Sequence, residues 1–350
     1  MNQHDTTTYR HSSANSSPSG ANGKTGSPRK LKEIRAPIQD HLQEFRGFYK
    51  NAIHTNVFVL DQIVRYLLRL KGKELRPTIV IMAARMFGPI NQRSYVAATM
   101  IELLHSATLI HDDVVDESNK RRGFLSINKL WNNKAGVLLG DFLLSKGLLV
   151  ALEHDEFTML KVLSKAVKSM SEGELRQLKA SKLHNMTEAR YFQIISEKTA
   201  SLFAACCECG TLSVSDDPEL HKKMHHLGMN MGIAFQIRDD LFDYGIDDVG
   251  KPRRNDIKES KVTLPLIKAL QQSGKREIRQ MRSLMSRRKK SRSDINRIVN
   301  FVNEKDGIES ARKEMNQYAD KALNILDDLP DSAEKQAFAE LILFIVNRSK

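Results

Sequence analysis

Cysteine is scarce: the 350-residue chain has three. So few thiols, and an odd number, exclude a cysteine-stapled secreted scaffold and point to a reducing compartment. No uncharged apolar run approaches the roughly 18–20 residues needed to span a bilayer. The N-terminus lacks the apolar stretch of a secretory signal. Alternating strand runs are missing, as are Asn-Gly or Asp-Gly turns between apolar segments. No internal repeat of roughly 20–50 residues appears, which argues against a solenoid.

What is present is ordinary for a globular chain: 41% hydrophobic and 28% charged residues, enough for one large core or two modest ones. The formal charge of +13 is unusual. Nucleic acid, an acidic membrane surface or anionic substrates would each suit it. Its location is informative. Residues 1–30 carry +3 and residues 274–293 carry +8, so the rest of the chain is nearly neutral.

Residues 1–30 are polar and almost without apolar side chains, and are expected to be a disordered tail. The segment is Ser-rich and acid-poor like a transit peptide, but it has two Arg and no amphipathic pattern. From residue 31 to 350 the pattern is helical. Leu103, Leu104, Ala107 and Ile110 recur at helical spacing, as do Val137, Leu138, Leu144 and Leu148. Phe192, Ile195, Thr199 and Leu202 repeat it, as do Leu227, Met231, Ala234 and Ile237. Breaks fall at Gly88-Pro89, Asp217-Pro218, Gly250-Lys251-Pro252 and Leu329-Pro330. The expected fold is all-α, a single large helical bundle of about a dozen helices.

Two acidic clusters end apolar helical runs. Asp112, Asp113 and Asp116 follow His111; Asp239, Asp240 and Asp243 follow Arg238. In each, the first and last Asp are four apart and share a helix face. Unpaired carboxylates on a buried helix end are costly and call for a cation. Carboxylates without Cys suit a hard ion, Mg²⁺ or Ca²⁺. One such cluster is commonly a solvated helix end; two on separate apolar helices are hard to explain that way. Facing each other, they would form a cage for several Mg²⁺ ions. Mg²⁺ binds through a few carboxylates plus substrate phosphates, so a phosphorylated ligand is implied. Arg121-Arg122, Lys73, Arg76, Lys198, Lys251 and Lys261 supply nearby cations that suit phosphate.

These residues together resemble the trans-isoprenyl diphosphate synthases, most closely the bacterial long-chain all-trans-polyprenyl type. The resemblance runs from about residue 35 to 347. It rests on GKELRP (72–77), HDDVVDESNKRRG (111–123), NKLWNNKAGVLLGDFLL (128–144) and EGELRQL (172–178). EKTASLF (197–203), GMNMGIAFQIRDDLFDYG (228–245) and GKPRRNDIKESKVTLPLI (250–267) complete it. It implies an all-α bundle around a deep central cavity, a homodimer, and a transferase that adds isopentenyl diphosphate to an allylic diphosphate such as farnesyl diphosphate. It also implies two to three Mg²⁺ ions, with Asp112, Asp116 and Asp239 as metal ligands and Asp113, Asp240 and Asp243 around them. Lys73, Arg76, His105 and Arg122 would bind isopentenyl diphosphate. Arg121, Lys198, Thr199, Gln236, Lys251 and Lys261 would bind the allylic diphosphate. The allylic C–O bond ionises, charge on the leaving diphosphate is stabilised, the isopentenyl double bond attacks, and the departing diphosphate takes the proton. The family often has Gly at 254 and 260, where this chain has Arg254 and Ser260. The turn before Lys73 reads Lys71-Gly72 rather than Gly-Gly.

Ala107 and Thr108 lie about one turn before Asp112. Aromatic residues there would block a tunnel for the growing chain; these small residues leave it open, so roughly C30 to C45 products are expected, suited to quinone side chains. A short- or medium-chain synthase of the geranylgeranyl kind is the alternative. A terpene cyclase would carry an Asn-Ser-Glu kind of second motif, and a non-catalytic partner subunit would tend to lose its Asp motifs. Nucleic-acid binding would need basic residues interleaved with stacking groups, and 274–293 has no aromatic. That segment reads either as a solvated helix pair or as a transient contact with an anionic membrane. The expected location is the cytoplasm, with peripheral membrane contact. Glu102-x-x-His105 lacks the second ExxH of a di-iron site. Cys206, Cys207 and Cys209 lack a fourth zinc ligand and read as packing residues, as do Met229 and Met231.

Overall fold

The structure is a computed structural model, and it describes residues 30–70, 72–121, 124–183, 186–245 and 254–348. The tail expected at 1–30 lies outside the described residues except for Lys30; so do Lys71, Arg122 and Lys251.

The chain opens with α1 (Leu31–Ile34), α2 (Gln39–Ala52), α3 (Phe58–Arg69) and α4 (Leu75–Arg85). Next comes α5 (Gln92–Val115), capped by Asn91, whose side chain accepts from the Ser94 amide at 3.2 Å. A two-residue antiparallel ribbon, β1 (Lys120–Arg121) with β2 (Phe124–Leu125), was not expected. It is too short to show alternation, which is why pattern alone misses it. Then follow α6 (Ile127–Trp131), α7 (Asn133–Glu153), α8 (Phe157–Leu183), α9 (Glu188–Ile195) and α10 (Ser201–Leu212). Asp217 accepts from the Glu219 amide at 2.9 Å and Pro218 opens α11 (Pro218–Phe242). The chain ends with α12 (Asn255–Lys258), α13 (Leu264–Gln271), α14 (Lys275–Met285), α15 (Arg292–Glu304), α16 (Gly307–Asp327) and α17 (Ala333–Asn347).

Helices α5 and α11 form the centre, packed by α4, α7, α10 and α16. The main core holds fully buried Phe45, Phe203, Phe338, Ile79 and Ile101. Each such side chain contributes about 1.5–3 kcal/mol. A smaller separate core under α12–α15 contains Tyr244, Ile257, Leu266, Met281 and Ile298. Glycine lets α11 approach α10: a Cβ on Gly228 would sit 2.5 Å from the Phe203 carbonyl oxygen.

Two local departures matter. Between α9 and α10, residues Ser196–Ala200 form a π-helical turn, one extra residue that the apolar spacing at 192–202 does not reveal. On α7, the side facing α5 is Gly136, Gly140, Leu143 and Gly147, whereas Val137, Leu138, Leu148, Leu149 and Leu152 are exposed. The apolar spacing of Val137, Leu138 and Leu148 therefore marks an outward stripe rather than core. Among the described residues α7 alone is long and apolar enough, by length and composition, to cross a membrane.

Candidate active site

The two acidic clusters sit at the C-terminal ends of α5 and α11, where the two central helices finish. Within each cluster the three aspartates have different surroundings. Asp112 is half-buried. Burial raises its carboxyl pKa; Glu174 and Asp116 add to this, and Lys198 and Arg121 oppose it. Asp113 is 5% exposed and accepts two bonds of 2.7 Å from Arg121. Asp116 is exposed and caps α5. In the second cluster Asp239 is partly exposed and bonds the Arg348 guanidinium. Asp240 is buried: Tyr191 donates to it at 2.7 Å, Gln236 at 3.1 Å and the Leu264 amide at 3.3 Å. Burial pushes Asp240 up to about 7 despite these donors. Asp243 is buried and accepts the Asp256 amide at 2.5 Å.

A cavity of about 160 Å³ lies between α8, α9, the π turn, α11 and the α12 segment. Gln177, Tyr191, Lys198, Thr199, Gln236, Asp240, Asp256 and Lys261 line it. Lys198 is paired with Glu174 and donates to Gln177 at 2.9 Å. Thr199 donates to the Gln236 side-chain oxygen at 2.9 Å, and Gln236 passes the chain on to Asp240. Lys261 pairs with Glu259 at 2.8 Å and lies 3.7 Å from Asp256. Its charge is also favoured by Asp116, so the segment after the second cluster reaches the first. Burial and the neighbouring Asp243 push Asp256 up to about 6.

Arg76 donates to the Nε2 of His105 at 2.8 Å, which leaves the imidazole proton on Nδ1. The Arg76 guanidinium also lies 5.7 Å from the Phe203 ring centre. Lys73 is lowered by burial and by Arg348, with Asp239 opposing, so the GKELRP turn stands near the second cluster. Glu74, at φ 42, starts α4 from a left-handed conformation.

Among the described residues no three or more His, Cys, Asp or Glu converge on a metal position. The two clusters stand here as two carboxylate half-sites, one at the end of each central helix. Asp112, Asp116 and Asp239 are the members that are not buried. An all-oxygen, incomplete set of this kind fits a hard cation completed by phosphate oxygens. Asp113, Asp240 and Asp243 are buried and engaged by protein donors.

A family model described as polyprenyl synthetase matches residues 57–302. The chain belongs to the polyprenyl synthetase family. An octaprenyl diphosphate synthase of Escherichia coli is 33% identical over 300 residues, 85% of this chain and 93% of that one. A decaprenyl diphosphate synthase structure from Rhodobacter capsulatus superposes with a TM-score of 0.87 at 29% identity, covering 92% of this chain and all of that chain. A polyprenyl synthase from Caulobacter crescentus, complexed with calcium and isoprenyl diphosphate, gives 0.85 at 31% identity over 93% of this chain and all of that one.

In the loop at 254–261, Arg254 and Ser260 stand at φ 53 and 63, in the left-handed region, at a cost of about 1 kcal/mol or more each. Ala107 is buried and Thr108 is half-buried, its hydroxyl donating to the His105 carbonyl at 2.9 Å; neither lines the cavity described above. Sequence reasoning missed Glu174, Gln177, Tyr191, Asp256 and Arg348 as parts of the site. The EGELRQL segment offered a signal, since Glu174 and Gln177 share a helix face. Tyr191, Asp256 and Arg348 offered none, because only the fold brings them to the aspartates. The three cysteines are buried and free, as packing residues.

Proposed function

We infer that this chain is a long-chain all-trans-polyprenyl diphosphate synthase. It condenses isopentenyl diphosphate with an allylic diphosphate such as farnesyl diphosphate. The observation that carries the reading is the pair of carboxylate half-sites at the ends of α5 and α11, with Lys198 and Lys261 lining the cavity beside them.

Asp112, Asp116 and Asp239 would hold Mg²⁺, which when bound supplies positive charge to the leaving diphosphate. Arg121, fixed by Asp113, and Lys198, fixed by Glu174 and Gln177, hold the allylic diphosphate on one side. Preset donors of this kind need no rearrangement as charge develops. Lys261 approaches from the 254–261 loop, and Lys251, beyond the described residues, is assigned with it. Lys73 and Arg76, with His105 orienting Arg76, hold isopentenyl diphosphate together with Arg122. Thr199, Gln236, Asp240 and Tyr191 form one hydrogen-bonded chain that holds the Gln236 amide oxygen at the cavity. Apolar helices around it exclude water from the allylic cation.

Ala107 and Thr108 set product length, expected at roughly C30 to C45, by leaving room one turn below Asp112. The working unit is a homodimer: the exposed stripe on α7, with Phe157, Leu175 and Leu178 exposed on neighbouring α8, suits a second copy. The residues from 31 onward form the catalytic domain, acting in the cytoplasm or at the membrane surface. Purified protein incubated with Mg²⁺, labelled isopentenyl diphosphate and farnesyl diphosphate tests the reading. Chromatography of the dephosphorylated products should show C30 or longer chains and none when EDTA is added. Hydrocarbon products, or C20 as the limit, would overturn it.

A further inference from the structure

Helices α14 and α15 carry the basic segment, and the structure shows how it is mounted. Their apolar sides, Met281, Leu284, Met285, Ile295 and Ile298, sit on the small separate core. The opposite side is cationic. Near the basic segment the acidic residues are already engaged: Glu277 pairs with Lys305 at 2.9 Å, and Asp294 pairs with Arg287 at 2.7 Å while bonding the Ser291 amide; the remaining acid of the two helices, Glu304, lies at the far end of α15. Arg276, Arg279, Arg282, Arg288, Lys289 and Arg292 are exposed, with no acidic partner among the described residues. A solvated helix pair normally intersperses opposite charges at i,i+4. Here cations outnumber acids on one side, which leaves a positive field that favours an external anion.

The basic edge also adjoins the active-site lip. Lys290 donates to the Ser260 hydroxyl at 2.5 Å, and Arg254 donates to Asn296 at 2.5 Å. Ser260 precedes Lys261, and Asp256 lies between the two contacts; Lys261 and Asp256 both line the cavity. A surface bound to this edge is therefore brought beside the cavity.

We propose that the cationic side of α14–α15 docks the enzyme on an anionic lipid surface. Several cations on one rigid platform match a sheet of phosphate headgroups, each adding attraction within a Debye length. A long polyprenyl diphosphate, amphipathic and nearly insoluble, would then leave the site beside the bilayer. That destination rests on the proposed long-chain product. The docking does not, so it is tested without turnover.

The test is co-sedimentation of the full chain with vesicles of phosphatidylglycerol and phosphatidylcholine at graded ratios. The wild-type protein should pellet in proportion to phosphatidylglycerol content and be released by roughly 0.5 M NaCl. The variant carrying Arg288→Glu, Lys289→Glu and Arg292→Glu should partition roughly a hundredfold less. Its helicity and its solution activity on farnesyl diphosphate should match wild type, since none of the three residues touches the site. Binding that ignores lipid charge or salt overturns the proposal, and so does equal binding by the variant. Retention on single-stranded RNA without binding to vesicles also overturns it and assigns the face to nucleic acid.

Discussion

Arg121 and Asp113 are joined by two parallel hydrogen bonds of 2.7 Å, and the carboxylate of the pair is buried. On the proposed function, this pair makes Asp113 the anchor of the arginine that holds the allylic diphosphate, and leaves Mg²⁺ to Asp112, Asp116 and Asp239. Asp112→Asn and Asp113→Asn should separate the two roles. Asp112→Asn should weaken Mg²⁺ dependence and lower activity by about a thousandfold or more, the scale of losing a charge-stabilising group. Asp113→Asn should raise KM for the allylic diphosphate and lower kcat/KM about 10- to 100-fold, with the Mg²⁺ concentration for half-activity unchanged. Steady-state kinetics over a Mg²⁺ series decides between them.

The buried Asp240 gives the metal-free protein a pH signature. Its folded pKa of about 7 lies above the usual 3.8, so between those values the folded state holds more protons than the unfolded. Its contribution is full below about pH 4 and is lost as pH rises through 7, at up to about 1.4 kcal/mol per pH unit. Urea unfolding in EDTA at several pH values should show this fall. Tyr191→Phe removes a donor to the carboxylate, should destabilise by about 1–3 kcal/mol, and should move the fall to higher pH.

Gly232→Ala should reach the site through packing alone. The added Cβ would meet the Ala200 Cα at 2.5 Å and the Phe203 Cβ at 3.0 Å, with backbone among the obstacles. Relief requires α10 and the π turn to shift, carrying Lys198 and Thr199 with them. We expect a loss of about 1–3 kcal/mol in stability and a reduced kcat. Thermal melting and initial rates measure the two effects.

Ala107→Tyr should shorten the products to roughly C15–C20, because the ring fills the space one turn below Asp112. Thr108→Tyr is the companion variant: position 108 shares the Asp112 face and 107 lies about 100° around the helix. Product chromatography of both variants reads which face the growing chain follows; unchanged lengths in both would remove these positions from the tunnel.

Leu138→Arg combined with Leu149→Arg should dissociate the proposed homodimer, since both side chains are exposed on the stripe of α7 that turns away from α5. Sedimentation equilibrium should show a monomer, with helicity retained because neither residue belongs to the core.

The sequence by itself determined the all-α class, the two acidic helix ends and the reaction family. Those are local facts: helical period, i,i+4 spacing, and motifs contained in short stretches such as 111–123 and 228–245. Tertiary structure alone showed which protein groups hold each of the six aspartates and which of the six are buried. Identical spacing in the two motifs hides the difference, because burial and donors depend on the fold: Arg121, eight residues on, turns back to Asp113, while Asp240 takes Tyr191 and Leu264 from other helices and Asp243 takes the Asp256 amide. Arg348 is 109 positions from Asp239 and no periodicity connects them. The charge of +8 at 274–293 is countable in the sequence; that it borders the active-site lip depends on Lys290 meeting Ser260. A linear chain specifies which groups exist and which face of a helix they share. Which groups lose their water, and to which partner, depends on long-range packing, and that fixes their chemistry.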